Sequence, residues 1–148
     1  MLSRTNSENP DFIKLTGELD IELCRIYNTN PEDYEEYNRI TNLDTVVIAY
    51  EDHKAIACGC FKVFSPDTIE IKRMFVDEKE RGKGIASAIL AELEAWGKEL
   101  GFTGSVLETG KGQPNAIKLY QKQGYQVAEN YNQYDSLAIS VCLKKKLQ

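Results

Sequence analysis

The sequence predicts a single α/β (α+β) domain over residues 1–148, a mixed and mostly antiparallel sheet flanked by helices. Three observations carry that expectation. Apolar residues recur at helical spacing over 11–27 and again over 85–100. Between these helices, three β-rich segments follow one another with only short turns, as hairpins do. Beyond residue 100, strand and helix patterns alternate, so the whole order reads ααβββαβαβ. A chain of 148 residues is long enough to bury a core without disulfides or metals. Its 42% hydrophobic and 28% charged content places it among soluble globular proteins.

From Asp11 to about Tyr27, the residues Phe12, Leu15, Leu19, Leu23 and Ile26 share one helical face. Asn30-Pro31 opens a shorter helix, PEDYEEYNRI, with Pro31 at a favourable first position and acids in the first turn. The β-branched TVVIAY (Thr45–Tyr50) reads as a strand, EDHK as a turn, and AIACGCFKVF (Ala55–Phe64) as the next strand. Ser65-Pro66-Asp67 carries turn chemistry. The third strand, TIEIKRMFV (Thr68–Val76), has a shifted phase. Its apolar positions start odd, at Ile69 and Ile71, and continue even, at Met74 and Val76, with Phe75 outside the pattern. A β-bulge near Lys72–Arg73 accounts for such a change of face.

Next comes a helical stripe of Ile85, Ile89, Leu93, Trp96 and Leu100, stopped at Gly101 with Phe102 placed for a Schellman contact. SVLET (Ser105–Thr109) is a short buried strand. Pro114 starts the helix PNAIKLYQKQ, which Gly124-Tyr125 ends in the same manner. SLAISVCLKKKL alternates, with Leu137, Ile139, Val141 and Leu143 on one face, and forms the last strand. Small extra strands are expected near Met1–Ser7 and Gln126–Ala128.

Several function classes are disfavoured. A net charge of −5 argues against a nucleic-acid surface, which needs a broad basic field. No apolar run approaches membrane-spanning length and the start MLSRTNSENP has no signal-peptide core, so a cytoplasmic setting without membrane attachment is expected. Cys24, Cys58, Cys60 and Cys142 then read as small buried hydrophobes. Cys58-Gly59-Cys60 lies outside zinc spacing, and the one histidine, His53, falls in a turn, so no metal is expected.

The chemistry gathers in VDEKERGKGIASAIL, where a charge run meets two glycines at a helix start. The first N–H groups of a helix have no internal partners and favour anions. Glycines let a phosphate approach the backbone, while Arg81 and Lys83 add positive charge. A P-loop is excluded, since GxxxxGK followed by Ser or Thr is missing. A dinucleotide fingerprint is imitated by Gly82, Gly84 and Ser87, with Glu108 about where a ribose-binding acid belongs. It lacks its third glycine and sits too far from its strand. The bland reading is a turn beside a solvated charge run.

IKRMFVDEKERGKGIASAIL resembles the signature region of the GNAT acetyltransferase superfamily. The R/Q-x-x-G-x-G/A motif matches Arg81, Gly82, Lys83, Gly84, Ile85 and Ala86. QPNAIKLYQKQGY is similar to the second conserved segment, matching Asn115, Ala116, Tyr120, Gly124 and Tyr125. The wording EIKRMFV…LETG…QP is similar to a bacterial subgroup of small GNAT enzymes. The resemblance implies a GNAT acyl-CoA N-acyltransferase fold with splayed central strands, acetyl-CoA as acyl-donor cosubstrate, and no metal. It implies that Met74, Phe75 and Val76 hold pantetheine through their backbone and that the Arg81–Ala86 loop holds the pyrophosphate. Asn115 would bind the pantetheine or phosphate region, and Tyr120 would stand near the thioester sulfur.

Attack by an amine needs a neutral nitrogen, oxyanion stabilisation and a hydrogen-bond or proton donor for the thiolate. Tyr120 suits the last role; its alternative is packing beside Ile117. Glu70 and Glu108 are the candidate bases, Glu70 alternatively pairing with Lys72 or Arg73 at the surface. The resemblance assigns the acceptor wall to the first helices, where Tyr27, Tyr34, Tyr37 and Asn38 are candidates, with Tyr131 and Tyr134 further on. The expected partner is a small-molecule or peptide amine, and the chain acts as a monomer or homodimer. The alternative is a non-catalytic CoA or acyl-CoA-binding module of the same fold.

Overall fold

The computed structural model of the chain describes residues 1–28, 42–129 and 140–147. Its elements are β1 (Leu2–Thr5), α1 (Pro10–Tyr27), β2 (Val46–Glu51), β3 (Lys54–Ser65), β4 (Thr68–Val76), a 3-10 turn (Glu78–Glu80), α2 (Ile85–Glu99), β5 (Gly104–Gly110), α3 (Pro114–Lys122), β6 (Gln126–Ala128) and β7 (Ser140–Lys146). The strands hydrogen-bond in the order β1-β2-β3-β4-β5-β7-β6. β4 and β5 run parallel, whereas β1 with β2, β2 with β3, β5 with β7 and β6 with β7 are antiparallel. The mixed, mostly antiparallel sheet is therefore as expected, and both small extra strands are present. The second helix, over PEDYEEYNRI, and the strand positions Leu137 and Ile139 lie outside the described residues.

The chain divides into two compact units: Met1–Phe61 with Arg73–Leu93, and Lys62–Lys72 with Glu94–Gln148. In the first, Asn9 caps α1 by accepting from the Asp11 N–H at 2.8 Å, and Pro10 opens the helix. α1 buries Phe12, Leu15 and Leu19 in a cluster with Val46, Ile48, Cys58, Cys60 and Phe75, and Leu23 packs at its margin. That cluster ends one turn before Ile26, which is 42% exposed, so Ile26 does not belong to the core stripe. Gly59 of β3 lies beneath Met74, Ile89 and Leu93, leaving no room there for a side chain.

In the second unit, β4 and β5 pair from Thr68↔Gly104 to Ile71↔Leu107, and the ladder ends there. Ile69 packs on Gly97 of α2, while Leu107 and Leu143 are fully buried. Both expected helix stops are complete Schellman motifs. The Phe102 N–H donates to Gly97 O at 3.0 Å and the Gly101 N–H to Lys98 O at 3.0 Å. At the end of α3, the Tyr125 N–H donates to Tyr120 O at 2.9 Å and the Gly124 N–H to Gln121 O at 3.1 Å. Leu100 is corrected by this geometry: it is the cap residue beyond the last turn and stands 56% exposed.

Candidate functional site

Within the first unit, β4 breaks its extended geometry at Arg73, whose φ is 58°. The break falls where the sequence places a β-bulge, at the residue where the face changes. Met74 turns toward Ile89 and Leu93 of α2 beside Gly59, and Phe75 enters the α1 cluster. The buried Cys58 thiol donates to the Arg73 carbonyl at 3.5 Å, satisfying an acceptor at the bulge. Burial pushes the Cys58 thiol well above its usual range, so it remains a neutral donor. The Arg73 guanidinium is itself buried and donates to Thr16 O at 3.0 Å and Asp20 Oδ1 at 2.8 Å, both on α1. Arg73 is therefore not a partner of Glu70.

After β4, Asp77 caps the 3-10 turn by accepting from the Lys79 N–H at 3.1 Å. Arg81 then folds back. Its Nε donates to Val76 O at 2.9 Å, its Nη2 to Glu22 Oε1 at 2.7 Å, and its guanidinium carbon lies 5.7 Å from the Phe75 ring centroid. Lys83 pairs with Glu80 at 2.8 Å, a hydrogen bond that raises the Lys83 pKa and lowers that of Glu80. Gly82 and Gly84 stand at φ 82° and 80°, a region that L side chains rarely adopt, and nothing lies within 4 Å of either missing Cβ. The Gly84 carbonyl accepts the first bond of α2, from the Ala88 N–H at 3.1 Å. The N–H groups of Ile85 and Ala86 precede that bond in the first turn of the helix. Open space, positive φ and the first-turn N–H groups of α2 make a cradle that fits a pyrophosphate.

The second unit holds the candidate acid and bases. Glu70 is buried, with lysine nitrogens at 3.6 Å (Lys62) and 3.9 Å (Lys72). Its register partner is Val106, so Glu70 and Glu108 share one face of the β4–β5 ladder. Glu108 accepts from the Cys142 thiol at 3.4 Å, and the register pairs the same two residues. Asn115 is exposed in the first turn of α3, and Tyr120 is buried near its end. The Tyr120 and Tyr125 rings meet edge-on with centroids 6.0 Å apart, closing the Schellman motif by an aromatic contact. Tyr125 is held in turn by a 2.7 Å bond between its hydroxyl and Ser105. Burial alone raises the Tyr120 pKa far above its usual value, so the phenol is neutral throughout the physiological range.

Of the acceptor candidates, Tyr27 is the half-buried last residue of α1. Tyr34, Tyr37, Asn38, Tyr131 and Tyr134 lie outside the described residues. Sequence reasoning did not find Asp20, Glu22, Lys62 or the donor role of Cys58. A signal existed for Asp20 alone, since the cation Arg73, placed in a buried strand, requires a nearby acid.

A family model described as the acetyltransferase (GNAT) family matches residues 14–125. The chain belongs to the GNAT family. It is 28% identical over 154 residues to IAA acetyltransferase of Azospirillum brasilense, covering 99% of this chain and 97% of that one. Among solved structures, one from Klebsiella pneumoniae described as an acyl-CoA N-acyltransferase superposes with a TM-score of 0.82. That alignment is 25% identical and covers 100% of this chain and 97% of the other. A GNAT family acetyltransferase from Elizabethkingia anophelis with acetyl-CoA bound gives a TM-score of 0.62 at 22% identity, covering 69% of this chain and 75% of that one. GNAT membership and the GNAT fold agree with the motifs at Arg81–Ala86 and Asn115–Tyr125. No helix among the described residues is long and apolar enough to cross a membrane.

Proposed function

We propose that the protein is an acetyl-CoA-dependent N-acetyltransferase, acting as one GNAT domain and moving the acetyl group directly to a primary amine of a small molecule or peptide. One observation carries the reading. A bulged strand leads through a short turn into an Arg-Gly-Lys-Gly loop whose glycines stand at positive φ beside open space, at the start of α2. The bound acetyl-CoA of the Elizabethkingia protein and the acetyltransferase relative from Azospirillum support the choice of cosubstrate and reaction.

In this reading the backbone of Met74, Phe75 and Val76 holds pantetheine and polarises the thioester carbonyl. The N–H groups of Gly82 to Ala86 and the charges of Arg81 and Lys83 hold the pyrophosphate, and Asn115 binds the pantetheine or phosphate region. The neutral amine attacks the carbonyl carbon, the C–S bond breaks, and an amide and CoA thiolate result. Glu70, or Glu108 on the same face, takes the amine proton. CoA thiol has a pKa of about 8.5, as cysteine does, below that of the buried Tyr120 phenol. Tyr120 therefore stabilises the departing thiolate by donating a hydrogen bond, and the proton released by the amine ends on the thiol. Tyr27, Tyr34, Tyr37 and Asn38 contribute to the acceptor wall.

A thiol-release assay with acetyl-CoA against polyamines, amino acids, aminoglycosides and peptide N-termini tests this. The expected result is CoA release with at least one amine and the matching amide by mass spectrometry, with no acetylated enzyme when the acceptor is left out. Tight calorimetric binding of acetyl-CoA with no turnover on any amine would replace this reading with the non-catalytic module.

A further inference from the structure

The two arginines on either side of Met74–Val76 are both tied to α1. Arg73 reaches Thr16 and Asp20, and Arg81 reaches Glu22. Asp20 and Glu22 are two residues apart and so project about 200° apart around the helix axis. The arginines thus grip α1 on two flanks. α1 cannot slide away, because Phe12, Leu15 and Leu19 are fixed in the core cluster. A carboxylate on a packed helix is a rigid anchor, whereas a free arginine loses considerable rotamer entropy on binding a ligand.

Arg81 has five N–H donors, and among the described residues it uses two, on Val76 O and Glu22. The guanidinium lies over Phe75, with 42% of the side chain exposed at the mouth of the loop. Its remaining donors stay on offer while the first two hold its plane. Lys83 is held less firmly: its ion pair is with Glu80, three residues away, and the side chain is 56% exposed.

We infer that Glu22 is a positioning residue for the cosubstrate, orienting the Arg81 guanidinium so that the loop meets the pyrophosphate already ordered. This rests on the reading that the Arg81–Ala86 loop binds the pyrophosphate. The rival role for the same contact is a placeholder, in which the Glu22 carboxylate occupies the anion's place and must be expelled. The two roles predict opposite signs. Fixing by Glu22 makes Glu22→Gln bind acetyl-CoA more weakly; expulsion makes it bind more tightly.

The test is calorimetric titration of acetyl-CoA into the full chain as wild type, Glu22→Gln, Glu22→Asp, Arg81→Ala and the Glu22→Gln/Arg81→Ala double variant, with thermal midpoints alongside. Loss of a charge-assisted hydrogen bond that acts through Arg81 is expected to raise Kd about tenfold in Glu22→Gln. Glu22→Asp recovers part of that loss, and the double variant binds no more weakly than Arg81→Ala. Tighter binding by Glu22→Gln overturns the proposal, as does an unchanged Kd with only a lowered midpoint. Additive losses in the double variant also overturn it, because Glu22 would then act without Arg81. Should Arg81→Ala itself leave Kd unchanged, the pyrophosphate reading of the loop fails, and the proposal with it.

Discussion

Gly59→Ala adds one methyl group at the point where β3, the bulged strand and α2 meet. The new Cβ would overlap the Met74 sulfur and lie 3.0 Å from Ile89 Cγ2 and 3.1 Å from Leu93 Cδ1. The last two contacts are with packed aliphatic groups, since Ile89 and Leu93 are both fully buried. Overpacking of this kind costs about 2–3 kcal/mol. Replacing glycine also removes freedom from the unfolded chain, which returns about 0.5–1 kcal/mol. The net expectation is a loss of about 1–2.5 kcal/mol, or a thermal midpoint lower by about 3–8 °C for a chain of this size. Urea unfolding followed by circular dichroism measures it directly. Because Met74 is the nearest and most flexible neighbour, Gly59→Ala combined with Met74→Ala is expected to lose less than the two single losses added together. A Gly59→Ala protein as stable as its parent would refute the packing argument. Strict additivity would mean that Gly59 does not make room for Met74.

Other outcomes follow from the same geometry. Gly84→Asp puts a carboxylate and a strained φ into the anion cradle, so acetyl-CoA should bind at least about tenfold more weakly by calorimetry; unchanged affinity removes this loop from the cofactor site. Tyr120→Phe keeps the edge-on contact with Tyr125 and removes only the donor, so kcat should fall about 10–100-fold while Kd for acetyl-CoA stays within about threefold. Equal turnover would demote Tyr120 to packing. Tyr120 and Tyr125 are raised by burial above the ordinary 10.0, and Cys58 above 9.0, so the folded chain keeps protons that the unfolded chain releases. Stability should be level below about pH 9 and fall as pH rises through 9 and past 10. Urea midpoints that hold steady or rise between pH 8 and 11 would contradict it.

What the sequence made legible was mostly local. A glycine followed by an aromatic residue predicts a helix stop within a few residues, and both stops formed. The change of parity from Ile69 and Ile71 to Met74 predicted the bulge, since a pleated strand has no other common way to shift phase. Phe75 was harder to place, because β4 beyond the bulge packs on both faces and alternation no longer separates inside from outside. Long-range ion pairs left no trace. Arg73 and Asp20 are 53 residues apart in the chain, and nothing near either residue names the other. For Glu70 the alternative of a surface pair with Lys72 or Arg73 held only in part: Lys72 is 3.9 Å away, yet Glu70 is buried and a second lysine comes from β3. Leu100 failed for a smaller reason, since helical phase was extended one residue past the point where the helix ends.

The Schellman motif at the end of α3 has a consequence for length. Tyr120 supplies the carbonyl that receives the Tyr125 N–H, and its ring is the one that Tyr125 covers. Pro114 fixes the other end of the same helix. One residue inserted between Pro114 and Tyr120 would turn the phenol by about 100° and advance it by about 1.5 Å relative to the start of the helix, and Tyr125 would move with it. In the proposed reaction the helix is in effect a gauge: the number of residues from Pro114 to Gly124 decides where the Tyr120 hydroxyl stands, and shortening or lengthening it should disturb the chemistry before it disturbs the fold.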